Sequence, residues 1–386
     1  VKDFNAAIDF SGDRFRVVYR LRGSEAEALE KARSICVEQT IEFPADLVTG
    51  GDIRDHILGR VESFKRASVD VPGGGDAWEA VISYAVEVTG LELTQLLNVV
   101  FGNISLNPGI RVERLELPGS LLKVFKGPRF GITGIRDRLG AAERPFFCTA
   151  LKPMGLPVRE LADLAYRFAL GGVDMVKDDH GLADQRFAPF EERVRRCSEA
   201  VIRANGETGG RCLYVPNVSA PADRVVEKAY FAKEQGAGGL MVAPGLVGLD
   251  MVRCLAEDDG LGLPVISHPS LQGTYVASAD SGLSHFVVFG QLPRLAGADG
   301  SIFPNYGGRF PFTRGDCLGI VRGLSVSMGH MKPIFSMPGG GMDLERIPGM
   351  IETYGRDVIF LIGGALHRIG PDLVANCRRF MESVNG

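Results

Sequence analysis

Gly171-Gly172-Val173-Asp174-Met175-Val176-Lys177-Asp178-Asp179-His180 is the stretch from which the fold can be read. Its second half, Asp174–Asp179, has the length of a strand buried on both faces, yet it runs into four consecutive ionisable groups, Lys177 to His180. Charges at the end of a buried strand must meet a ligand or each other. Side chains alternate along a strand, so Lys177 and Asp179 point together to one side and Asp178 to the other, with His180 at the rim. A solvated rim with Lys177 paired to Asp179 is the plainer alternative.

Short apolar runs alternate with amphipathic ones on both sides of this stretch. Strands are predicted at Phe146–Leu151, Asp174–Asp179, Cys212–Val218, Gly239–Gly245, Pro264–Pro269, Ser301–Asn305, Pro333–Pro338 and Val358–Gly363. Helical patterns follow them at Val158–Leu170, Phe190–Asn205, Ala222–Gln235, Leu249–Asp258, Phe286–Leu295, Asp316–Val326, Leu344–Tyr354 and Asp372–Val384. In the first of these, Leu161, Leu164, Ala165 and Phe168 share one face. Parallel strands need crossovers of this length, and eight such units predict a (β/α)8 barrel over 126–386. An open doubly wound sheet would give the same alternation.

Residues 1–125 read as a smaller α+β domain. Arg14–Leu21 alternates like a half-buried strand, and Ser24 with Glu27 opens a helix over Ser24–Val37. A Gly-rich stretch, Val71–Asp76, precedes a helical pattern at Ala77–Val88, while Pro44–Arg66 fits neither period.

With 386 residues, the chain has room for a barrel of about 250 residues and an appendage. The net charge is -4 and basic runs are absent, which argues against nucleic acid or an acidic membrane surface as partner. No apolar stretch approaches the roughly 20 residues that span a bilayer, and no secretory h-region opens the sequence. The seven scattered cysteines lack CxxC spacing, so a reducing cytoplasm is expected, without disulfides or zinc.

Barrel sites lie at the C-terminal ends of strands. Read there, the sequence offers Lys152 after strand 1, Lys177, Asp179 and His180 after strand 2, and His268 after strand 5. Asn305-Tyr306-Gly307-Gly308-Arg309 ends strand 6, while Gly340-Gly341 and Gly363-Gly364 end strands 7 and 8. Glycines at those last two ends let backbone N–H groups approach a phosphate. A tight turn is the simpler use of either pair, as a surface position before a proline turn is for Lys152. Oxygen ligands such as the carboxylates of this run suit Mg2+.

These residues resemble the RuBisCO large-chain superfamily. Thr149 through Pro153 is similar to its Thr-x-Lys-Pro, with one extra residue, and Gly171–Asp179 resembles Gly-Gly-x-Asp-x-x-Lys-Asp-Asp-Glu up to the last position. Glu38 in Val37–Thr40, and Asn103 after Phe101-Gly102, resemble N-terminal-domain residues that family members donate across a dimer interface. The similarity covers almost the whole chain. It implies a head-to-tail homodimer whose Mg2+ is held by a carbamylated Lys177, Asp179 and His180. It also implies that Lys152 moves a proton on an enediolate.

The departures suggest a RuBisCO-like protein of form IV rather than a carboxylase. His180 stands for a metal-binding Glu, Met154 replaces the second lysine of Lys-Pro-Lys or that position is deleted, and the loop Asn305–Phe310 lacks a lysine. Pro269 follows His268 where carboxylases have an arginine, and Phe303 replaces a phosphate-contacting histidine, so a monophosphate substrate is expected. The loop motif most resembles decarboxylases of 3-oxo-isoapionate 4-phosphate, with Arg309 binding the carboxylate. The alternatives are a methionine-salvage enolase or isomerase of methylthio-pentulose phosphates, and a non-catalytic binding barrel.

Overall fold

The computed structural model describes residues 10–48, 53–68 and 74–385. The chain packs as two units. Residues up to Phe125 cluster with Thr274–Val288 and Met328–His330, while Lys126–Gly273, Phe289–Ser327 and Met331–Gly386 form the other.

The first unit is built on strands β1 (Arg14–Arg22), β2 (Arg60–Arg66), β3 (Ala77–Ala85) and β4 (Ile110–Glu116). The helix Glu25–Glu38 starts as expected, with Ser24 and Glu27 in a reciprocal capping box. Ala77–Val88, expected to be helical, is instead the inner strand β3 up to Ala85, paired with β1 on one side and β2 on the other, and a 3-10 turn, Val86–Thr89, follows it. Buried Ala77, Ala80 and Tyr84 mimic a helical face, but the innermost set is Ala80, Ile82 and Tyr84, which has period two. Two available partner strands and a β-branched, aromatic composition decide the outcome. The unplaced stretch Pro44–Arg66 holds a 3-10 turn at Ala45–Leu47 and the edge strand β2. The first half of the glycine-rich Val71–Asp76 lies outside the described residues.

The second unit contains β5 (Phe146–Leu151), β6 (Met175–Asp178), β7 (Leu213–Val215), β8 (Leu240–Val242) and β9 (Val265–Ser267). The short strand β10 (Gly282–Leu283) pairs with β4 of the first sheet, and β11 (Gly300–Pro304), β12 (Phe335–Gly339) and β13 (Ile359–Leu361) complete the second. Its order is β7-β6-β5-β13-β12-β11-β9-β8, all parallel, and a parallel bridge from Asn217 to Met241 links the two ends. A ring of eight strands with β13 beside β5 is the barrel, not the open sheet.

Phe146 and Cys148 of β5, Met175, Val215, Met241, Ile266, Ile302, Phe335, Met337 and Ile359 fill the interior as one cluster. An unforeseen helix, Gly131–Leu139, adds Ile135 and Leu139 to it. The expected helix Phe286–Leu295 is a π-helical turn, Val287–Gln291, followed by one α-turn, Leu292–Leu295. Pro293 in that turn has no N–H to continue the earlier ladder. Gly171 and Gly172 of the deciding stretch have steric reasons. A Cβ on Gly171 would lie 2.4 Å from Cys377 of the last helix, and Gly172 has φ +85°.

Candidate active site

The interior parity of the strands selects the side chains at the barrel mouth. Beyond Met175, the next inward residues of β6 and its extension are Lys177 and Asp179, and Ile266 is followed by His268. Lys177 is 2% exposed, and its Nζ donates to the Asp178 carbonyl at 2.9 Å. Asp179 pairs not with Lys177 but with Lys152, whose side chain is 42% exposed at the end of β5. Asp179 Oδ1 also accepts from Gly181 N at 3.0 Å. Burial works against the Asp179 carboxylate, but Lys152 and the Gly181 amide outweigh it and hold the pKa below its usual value. Burial lowers Lys177 in turn, with Lys152 adding to the effect against the pull of Cys148, Asp179 and Asp178. A lowered lysine favours its neutral amine.

The rings of His180 and His268 stack at 4.7 Å with 14° between planes. His180 Nδ1 stands 3.6 Å from Asp179 Oδ1. Burial lowers the His180 pKa; Lys177, Lys152 and Arg309 lower it further, against Asp179. His268 is pushed down to about 2 by burial and then by Lys177, His180 and Lys152, so it is neutral at any working pH. Its Nδ1 accepts from the backbone N–H of Ser270 at 3.3 Å, which leaves the proton on Nε2. Lys152 and Arg309 thus stand at the mouth beside one acidic side chain, Asp179, a positive balance suited to an anionic ligand.

The loops after β11 and β12 pack backbone to backbone. A Cβ on Gly308 would sit 2.0 Å from Gly340 O, and one on Gly341 would sit 2.9 Å from Gly308 Cα. Gly308 and Gly341 therefore have a packing reason to be glycine, apart from the phosphate role that the sequence suggests for Gly340 and Gly341. A Cβ on Gly363 or Gly364 would meet nothing within 4 Å, which leaves space beside the backbone at the end of β13. Arg346, which the sequence did not single out, ties the two loops together. Its guanidinium donates to Gly341 O at 2.8 Å, Tyr306 O at 2.8 Å and Gly307 O at 3.2 Å. Arg309 is exposed on the pinned loop, with its guanidinium 5.3 Å from the Phe310 ring centre.

One sequence inference needs correction. Phe303 does not line the mouth: Ile302 takes the inward place, and Phe303 meets Tyr354 edge-on at 6.1 Å outside the barrel. The expectation of a monophosphate substrate therefore rests on Pro269 and not on Phe303. Asp178 faces outward as expected, where it is a fully buried partner of Arg193 at 3.2 Å. In the first unit, Asn103 Nδ2 donates to Glu38 Oε1 at 3.0 Å, so that pair is brought together within its own unit. Among the described residues, no group of three or more His, Cys, Asp and Glu side chains is placed to hold a metal. A third protein donor beside Asp179 and His180 would have to come from a modified Lys177.

Residues 131–306 match the family model of the ribulose bisphosphate carboxylase large chain, catalytic domain. The ribulose bisphosphate carboxylase-like protein 1 of Rhodopseudomonas palustris is 38% identical over 372 residues, 96% of this chain and 98% of the relative. The 5-methylthioribulose-1-phosphate isomerase of Rhodospirillum rubrum is 38% identical over 97% of both chains. The 2,3-diketo-5-methylthiopentyl-1-phosphate enolase of Geobacillus kaustophilus is 34% identical over 94% of this chain and 89% of its own. Among solved structures, a RuBisCO-like protein from Rhodopseudomonas palustris superposes with TM-score 0.86 at 35% identity, covering 96% of this chain and 97% of the other. A dimeric archaeal RuBisCO from Hyperthermus butylicus gives 0.84 at 27%, covering 98% and 91%. Motif, closed barrel and whole-length relatives agree, and the chain belongs to the RuBisCO large-chain family, among its RuBisCO-like members.

Proposed function

We propose that this chain is an isomerase or enolase that moves a proton beside the carbonyl of a phosphorylated methylthio-pentose substrate. The observation that carries the reading is the Lys152–Asp179 pair at the mouth, set against buried Lys177 and a neutral His268. The names of the Rhodospirillum and Geobacillus relatives support this chemistry better than the decarboxylation suggested by the loop motif. The loop Asn305–Phe310 has no lysine and Pro269 follows His268, which speaks against carboxylation of a bisphosphate.

Lys152, half exposed, can swing from Asp179 to a substrate carbon and act as base and then acid. His268 presents Nε2–H as a neutral donor to a substrate oxygen, and Arg309 with the end of β13 receives the anionic end. Asp179 and His180, side by side on the rim, would fit a Mg2+ site whose third holder would be Lys177 as a carbamate; its lowered pKa favours the neutral amine, which attacks CO2 and then gives up a proton. Mg2+, when bound, would supply Lewis-acid polarisation of a carbonyl. The working unit would be a homodimer in which Glu38 and Asn103 complete the partner's site. Exposed Met154, Phe187, Leu246, Leu271 and Phe310, all in loops that follow barrel strands, favour such a cover.

Three measurements test this reading. Purified protein should turn over 5-methylthioribulose-1-phosphate or 2,3-diketo-5-methylthiopentyl-1-phosphate in the presence of Mg2+. Release of CO2 from 3-oxo-isoapionate 4-phosphate, with neither sulfur compound consumed, would assign the decarboxylase instead. Inactive Asn103→Ala and Lys177→Ala chains, mixed and allowed to exchange, should regain part of the activity; no recovery after verified exchange refutes a shared site. His268 also sets a pH dependence. Its folded pKa of about 2 lies below the unfolded value of about 6.5, so its contribution is whole above pH 6.5 and is lost as pH falls. Denaturant titrations should show wild type losing about 1.4 kcal/mol per pH unit more than His268→Asn below pH 6. Parallel slopes would show that His268 does protonate in the fold.

A further inference from the structure

The eleven residues Asp179–Pro189 join β6 to the helix Phe190–Thr208, and they carry both Asp179 and His180. Side chains from outside hold this loop by its carbonyls. Arg193 Nη1 donates to Ala188 O at 2.7 Å and Nη2 to Ala183 O at 2.8 Å. Asn217 Nδ2, at the end of β7, donates to His180 O and to Leu182 O, both at 3.0 Å.

Both holders are anchored on Asp178. Its carboxylate accepts from Arg193 Nε at 3.2 Å, from the Asn217 backbone N–H at 3.1 Å and from Tyr214 OH at 2.8 Å. Asp178 and Arg193 are wholly buried, Tyr214 nearly so, and Asn217 is 5% exposed. A buried ion pair is weak evidence for stability, because well-packed apolar side chains often serve as well. Apolar side chains could not, however, grip four carbonyls of a neighbouring loop.

We infer that Asn217 is a positioning residue for the Asp179–His180 pair, standing on the Asp178–Arg193–Tyr214 cluster and fixing the backbone at His180 and Leu182. Asp178 thus serves the mouth from the opposite face of the strand, which explains why two adjacent aspartates are needed. The inference rests on reading Asp179 and His180 as a cation site.

The test uses the full chain, Mn2+ followed by electron paramagnetic resonance, and hydrogen–deuterium exchange of the loop. Asn217→Ala, or the nearly isosteric Asn217→Leu if the first folds poorly, should weaken Mn2+ binding by about 10- to 100-fold, the range for lost outer-shell partners. Exchange across His180–Ala183 should quicken as well. Tyr214→Phe removes one bond to Asp178 but none to the loop, so it should cost stability and leave Mn2+ affinity within about twofold of wild type. Unchanged loop exchange in both Asn217 variants, or equal Mn2+ losses for Tyr214→Phe and Asn217→Ala, overturns the positioning role. Wild-type protein that binds no Mn2+ overturns the cation reading on which it stands.

Discussion

In a closed ring of parallel strands, every second side chain must enter the interior, and the ring leaves no freedom in which ones. On β6 this constraint buries Met175 in the core, sends Lys177 and Asp179 to the mouth and turns Asp178 outward. A slip of one residue would place two carboxylates and a lysine on the wrong faces. The bond of Lys177 Nζ to the Asp178 carbonyl, the Lys152–Asp179 pair and the Asp178–Arg193 pair all depend on that one register. The glycines before the strand protect it, since a side chain at Gly171 would strike the last helix.

Electrostatics at the mouth follows from burial as much as from charge. Desolvation is the first cause of the low pKa of Lys177, of His180 and of His268, and the neighbouring cations add to it. Burial therefore favours the neutral forms of these three groups, while Lys152, paired with Asp179, and Arg309 keep the field at the mouth positive. An anionic sugar phosphate relieves that field; a neutral ligand would not.

Much of this was legible in the sequence because it is local. The eight strand runs, the shared inward direction of Lys177 and Asp179, and the strand-end positions of Lys152 and His268 need only period and order. What failed depended on distant partners. Ala77–Ala85 has a helix-like spacing of buried residues and becomes a strand because β1 and β2 flank it. The helix Gly131–Leu139 has two glycines within its span and gains its place from barrel core residues that follow it in the chain. Arg193, Asn217 and Arg346 read as ordinary polar positions, since their targets are backbone carbonyls of other loops. Phe303 was misread for a related reason: a motif position was matched without its inward or outward parity.

The account stands on proton transfer by Lys152 at a carbon beside a carbonyl. Its most direct measurement is proton NMR of 5-methylthioribulose-1-phosphate incubated in D2O with wild-type protein and with Lys152→Met. The account predicts that wild type replaces a carbon-bound hydrogen by deuterium and that the variant, correctly folded and still binding substrate, does not. Exchange at the wild-type rate without Lys152, or turnover that leaves the carbon-bound hydrogens free of deuterium, would contradict it.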